Sequence, residues 1–132
     1  MKALATNIPK SIPIGCRLAC DDNSGAKIVQ VIGVLGRQGV HTRVLSAGVG
    51  DIVIVAVKKG NPKMKKKVER AVIIRQKKEM RRVNGIRVSF EDNACALVDD
   101  QYLPKGTEIK GAVCREVAER YPKVAGIAPI VI

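Results

Sequence analysis

"DIVIVAVKKGNPKMKKKVERAVIIRQKK", residues 51–78, holds two apolar segments separated by a glycine, a proline and a string of lysines. The first is apolar from Ile52 to Val57 and then becomes Lys58-Lys59; the second is apolar from Ala71 to Ile74 and then becomes Arg75-Gln76-Lys77-Lys78. Alternation would give each strand one buried and one wet face. Here both faces are apolar first and polar later, as in a strand that starts inside a core and runs out of it. "GNP" (60–62) breaks the chain, so the stretch reads as two strands, 51–59 and 69–77, joined by a basic loop.

Short apolar segments continue on both sides. "CRLACD" (16–21) alternates and is followed by the turn "DNSGA"; "KIVQVIGVL" (27–35) reads as a strand. Residues 36–50 hold four glycines and read as a long loop with at most one strand turn inside. "RRVNGIRV" (81–88) places Asn84-Gly85 between two branched runs, a strong hairpin signal because both residues tolerate positive φ. "ACALV" (94–98) and "TEIKGAV" (107–113) are further strands, and "CREVAERY" (114–121) suits a short helix stopped by Pro122. Many short strands with glycine-rich turns indicate an all-β chain, a small barrel or sandwich, in a single domain.

Composition fits that reading. The chain has 132 residues, 46% hydrophobic, enough for one core. Its aromatics are Phe90, Tyr102 and Tyr121, so packing falls to Val, Ile, Leu and Ala, and the branched residues among these favour strands. The longest apolar run, "VAGIAPIVI", has nine residues, against roughly 20 for a spanning helix. With no signal-peptide pattern at the start, the expectation is a soluble, cytoplasmic chain without a membrane partner. Cys16, Cys20, Cys95 and Cys114 form no C-x-x-C pair, and His41 is the only histidine, so no metal or other cofactor is expected.

The charge is concentrated. Residues 58–87 carry 13 Lys or Arg against Glu69 and Glu79, a net +11 in a chain of net +12. A face kept only for solubility would mix both signs. Cations held at fixed spacing by a rigid body suit a polyanion of fixed shape. On this reading the lysines form a basic rim and the Asn84-Gly85 hairpin a protruding ribbon. The chain lacks the aromatic platforms of single-strand binders, and no helix-turn-helix or zinc finger is visible. That leaves backbone recognition by charge and shape, with folded RNA favoured and an architectural protein of double-stranded DNA as the alternative. Catalysis is not expected. Cys95 or Cys114 with His41 has no reason to converge, and adjacent acids such as Asp21-Asp22, Glu91-Asp92 and Asp99-Asp100 point to opposite faces of a strand. Phosphate-loop and dinucleotide motifs are absent from the sequence.

The strings "DNSGAK" (22–27), "GVGDIV" (48–53), "AVIIRQKK" (71–78), "NGIRVSFEDNA" (84–94), "PKGTEIKGAVCRE" (104–116) and "IAPIVI" (127–132) resemble, in order, the universal ribosomal protein fourteen family of the large subunit. The likeness runs from about Gly15 to the end and is nearer the archaeal and eukaryotic branch than the bacterial one. Ala96 departs from it, standing where a bulkier Val is expected. The resemblance implies a five-stranded β-barrel with a projecting β-ribbon over 15–113, an N-terminal extension over 1–14, and short C-terminal helices over 114–132.

It also implies a structural role in the large subunit: binding large-subunit rRNA, lying at the intersubunit face and bridging to small-subunit rRNA. Neighbouring ribosomal proteins, including universal protein three, and an anti-association factor are the implied protein partners. The residues expected on RNA are Lys58, Lys59, Lys63, Lys65, Lys66 and Lys67 in the rim. Arg75, Lys77, Lys78, Arg81, Arg82 and Arg87 follow on the strand and ribbon, then Lys27, Arg37 and Arg43. Their expected role is phosphate neutralisation, not base reading. Thr107, Glu108, Arg120 and Lys123 are the expected protein contacts; Glu108 replaces a basic residue common in the bacterial branch.

Overall fold

A computed structural model describes residues 3–37 and 39–132. In chain order its elements are β1 (Ile12–Pro13), β2 (Arg17–Cys20), β3 (Ala26–Val34), β4 (Ser46–Ala47), β5 (Ile52–Gly60), β6 (Val68–Arg75), β7 (Met80–Arg81) and β8 (Arg87–Val88). There follow β9 (Ala94–Val98), β10 (Ala112–Val113), α1 (Arg115–Arg120), α2 (Pro122–Gly126) and β11 (Ile130–Val131).

Five strands close a barrel in the order β2-β3-β5-β6-β9. Closure is a short parallel pairing, Ala19 with Ala94 and Cys20 with Cys95; the other seams are antiparallel. Register shifts the β3–β5 seam at Gly33, a bulge that bends the strand as a small barrel requires. Pleating and pairing put Leu18, Val29, Val31, Val53, Val55, Val57, Ile73 and Leu97 on the inner face, all essentially inaccessible.

β6 and β9 are also apolar on their outer face, where Val72, Ile74, Ala94, Ala96 and Val98 are buried. The C-terminal segment covers them: Cys114 N donates to Ile74 O at 3.1 Å, and Val113, Val117 and Val124 join the same core. That second layer explains why these strands do not alternate. Ala96, with no exposure, pairs with Val72 inside it.

Three local readings become specific. The strand turn inside the loop over 36–50 is β4, which pairs with β1 through Ile12–Ala47 and Pro13–Ser46, and Ile8 and Ile12 are buried in the core. Of the strand expected over 107–113, only Ala112–Val113 forms a strand, in parallel with β11, and Ile109 makes a single antiparallel bridge with Asp22. Upstream, Ile109 N and Lys110 N donate instead to Ile127 O (3.1 Å) and Asp21 O (2.9 Å). Pro122 ends one helix and opens the next as its first residue, where a missing N–H costs nothing.

Candidate nucleic-acid interface

The β5–β6 connection is a stiff loop. Val57 N donates to Lys67 O (2.9 Å) and Lys66 N to Val57 O (3.0 Å), extending the hairpin past its last strand residues. Inside it, Met64 N and Lys65 N both donate to Asn61 O at 2.9 Å, one tight turn. Asn61 N donates to Gly25 O at 2.9 Å, and Met64 packs against the core. A Cβ on Gly60 would lie 2.5 Å from Gly25 O, so only glycine allows the "DNSGA" turn and this loop to touch. Lys58, Lys59, Lys63, Lys65, Lys66 and Lys67 are all exposed on this frame, with Lys27 beside it. Among the described residues none of these seven lysines forms an ion pair.

The remaining cations of 58–87 lie elsewhere. Because β6 runs from Val68 to Arg75, Lys77 and everything after it emerge at the opposite end, roughly 23 Å along the strand at about 3.3 Å per residue. The rim and the ribbon read from the sequence are therefore two basic regions at opposite ends of β6. In the second, β7 and β8 form a ribbon closed by Val83-Asn84-Gly85: Gly85 N donates to Arg82 O and Arg82 N to Ile86 O, each at 2.9 Å. Only Gly85 takes positive φ (+88°), so the turn is a three-residue loop with a glycine bulge, not the two-residue turn that Asn-Gly suggests. Lys77, Lys78, Arg81 and Arg87 are exposed, and Arg87 pairs with Glu79 at 3.1 Å.

Arg75 and Arg82, expected on RNA, are buried and engaged within the protein. Arg75 grips Asp92 with two hydrogen bonds of 2.9 Å, donates to Ala112 O at 2.8 Å and pairs with Asp21. A side chain on Gly111 would overlap its guanidinium, so that glycine is the slot Arg75 fills. Arg82 donates to Ile132 O (2.6 Å) and to both carboxylate oxygens of Glu116 (3.2 and 3.4 Å). Burial would lower both guanidinium pKa values, but the facing acids outweigh it and raise them. These arginines fasten the exit of β6 and the ribbon base to the C-terminal layer. Arg43 and Arg37 are both exposed, and Arg37 lies 3.9 Å from Asp51.

Of the residues expected to contact proteins, Thr107, Glu108 and Lys123 are exposed. Asn23 holds this loop: it donates to Thr107 Oγ1 (2.5 Å) and accepts from Thr107 N (2.7 Å). The Ile109–Ile127 bond sets the loop against the end of α2. Arg120 is half-buried and donates to Gly50 O (3.3 Å) and Asp51 Oδ1 (3.4 Å). Sequence reasoning missed Asp51, which also takes Lys10 (2.8 Å) and Gly48 N (2.9 Å). It also missed Gln76, wholly buried and accepting from Val49 N at 3.1 Å. Each sits at the end of an apolar run, where polarity looks like emergence into water.

Neither Cys95 nor Cys114 is suited to attack. A hydrogen bond donated to Cys20 and burial hold Cys95 well above the ordinary thiol value, and burial and Glu116 push Cys114 up to about 12. His41 is exposed on its loop, and no cluster of three or more metal-ligating side chains occurs among the described residues. Asp21 and Asp22 diverge, one to Arg75 and the other accepting from Leu97 N at 2.8 Å.

The profile of the family described as "Ribosomal protein L14p/L23e" matches residues 11–132. Three archaeal proteins, each called "Large ribosomal subunit protein uL14", match over the whole of both chains. They are those of Methanoregula boonei at 57% identity, Methanocella arvoryzae at 56% and Methanocorpusculum labreanum at 52%. Identity at that level over full length, on a closed five-stranded barrel, places the chain: it belongs to the L14p/L23e family of ribosomal proteins, in its archaeal-type branch, as a non-enzymatic component of the large subunit.

Proposed function

We propose that the chain is a structural constituent of the large subunit that binds large-subunit rRNA through its exposed cations and lies at the intersubunit face. The observation that carries this reading is the lysine loop: seven exposed ammonium groups, none matched by an acid among the described residues, on a frame fixed by backbone hydrogen bonds. Leaving them unmatched costs self-repulsion, which a phosphate backbone relieves while counterions are released. The proposed RNA contacts are Lys27, Lys58, Lys59, Lys63, Lys65, Lys66 and Lys67 at one end and Lys77, Lys78, Arg81 and Arg87 at the other. Arg43 is second rank. Arg75 and Arg82 support this surface from within the fold, and exposed Arg37, beside Asp51, is second rank with Arg43.

The loop carrying Thr107 and Glu108, beside Lys123 of α2, is the proposed protein-docking face. It would serve the anti-association factor, with neighbouring proteins such as universal protein three and the small-subunit rRNA of a bridge meeting the same side of the molecule. Filter binding of folded large-subunit rRNA across a salt series tests the RNA reading. The expected log–log slope is about −0.7 to −0.9 per phosphate contacted, with rRNA preferred over duplex DNA in competition. A flat salt response would overturn it.

A further inference from the structure

The division of the basic residues between the two ends of β6 bears on what the protein does with RNA. The inference rests on the RNA-binding reading above and goes beyond it. A single basic arm would lie along one stretch of backbone. Here the lysine loop leaves one end of the barrel and the ribbon leaves the other. On the β6–β9 side the cations between them are engaged by acids: Lys105 by Glu69, Arg70 by Asp100 at 3.6 Å, and Arg75 by Asp21 and Asp92. One RNA helix laid from end to end over this side would meet those carboxylates on the way.

The two ends also differ in chemistry. The lysine loop presents only ammonium groups, point charges that accept phosphates from many directions. The ribbon adds Arg81 and Arg87, whose planar forks favour fixed phosphate geometry. Both are rigid, one through the Asn61 turn and the other through buried Met80 and Arg82 at its base. We infer that the protein is a two-ended spacer, holding two separate RNA backbone segments at a separation set by β6.

The test is stoichiometry by native mass spectrometry at low salt, with the full chain and an excess of a short RNA hairpin too small to span the barrel. The wild type should bind two hairpins. Lys65→Ala/Lys66→Ala/Lys67→Ala and Lys77→Ala/Lys78→Ala/Arg81→Ala should each bind one, and the six-fold variant none. Thermal melting of every variant, cooperative as in the wild type, separates lost sites from lost folding. One hairpin on the wild type would overturn the spacer and leave RNA binding standing; none would overturn both. Two hairpins retained by either triple variant would also overturn the spacer.

Discussion

Arg75 and Arg82 stand in a run of cations and, by sequence, look like their neighbours. Their environments separate them: each is under a tenth exposed and faces carboxylates, whereas Lys66 faces solvent. Removing one partner of a buried pair leaves the other charge uncompensated, so Arg75→Ala should destabilise by about 3 kcal/mol. Lys66→Ala should stay within about 0.5 kcal/mol. Urea unfolding of both variants checks the contrast; equal stability would mean that the Asp21–Arg75–Asp92 cluster is not a fastening. Acid tests the same groups. The hydrogen bond from Arg75 holds Asp92 below its ordinary 3.8. For Glu116, burial would raise the pKa from 4.5, but Cys114 and Arg82 together lower it. Folded-state values below unfolded ones mean stability that is present above about pH 4.5 and lost as pH falls through the folded values. Thermal melts from pH 6 to pH 3 should show that loss, and Glu116→Gln should show a shallower one.

At the scale of elements, the lysine loop and the C-terminal layer should respond independently. Lys65→Ala/Lys66→Ala/Lys67→Ala removes charges from a loop whose shape comes from backbone bonds and Met64. It should weaken rRNA binding and flatten the salt slope by about 0.7 to 0.9 per phosphate lost, while melting stays cooperative. Collapse of the fold would show that the lysines hold the loop. Strands β3 and β5 were legible because long branched runs between glycines admit few other structures, and β6 and β9 because short apolar runs stand out between polar residues. β1 and β4 were not, since a two-residue pairing leaves no periodicity. The ribbon was visible through Asn84-Gly85, but its turn type follows from where Arg82 is anchored, which is tertiary information. Likewise the exit of β6 is read two residues early, because Arg75 and Gln76 are polar yet buried against partners distant in sequence.

At the scale of the whole molecule, the proposed RNA-binding cations and the proposed docking face belong to different loops that meet at the "DNSGA" turn, where Asn23 holds Thr107 and Gly25 O accepts from Asn61 N, so what separates them is the sign of their charge. Glu108 is exposed, and its backbone N–H lies 3.5 Å from Asn23 Oδ1 while its carboxylate has no ion-pair partner among the described residues. Glu108→Lys reverses a charge there without cutting a contact that holds the loop, which depends on Asn23 and on Ile109. Melting temperature should therefore stay close to wild type, and rRNA affinity should not fall. Subunit joining should not, because a like charge placed against a cationic partner, or an attractive one against an anionic partner, changes association rates directly. Sucrose gradients of cells carrying the variant should show an altered ratio of free large subunits to joined ribosomes, with the protein still sedimenting in the large-subunit peak after a high-salt wash. Unchanged profiles would remove the docking face from the proposal, and loss of the protein from that peak would move Glu108 onto the RNA-binding side.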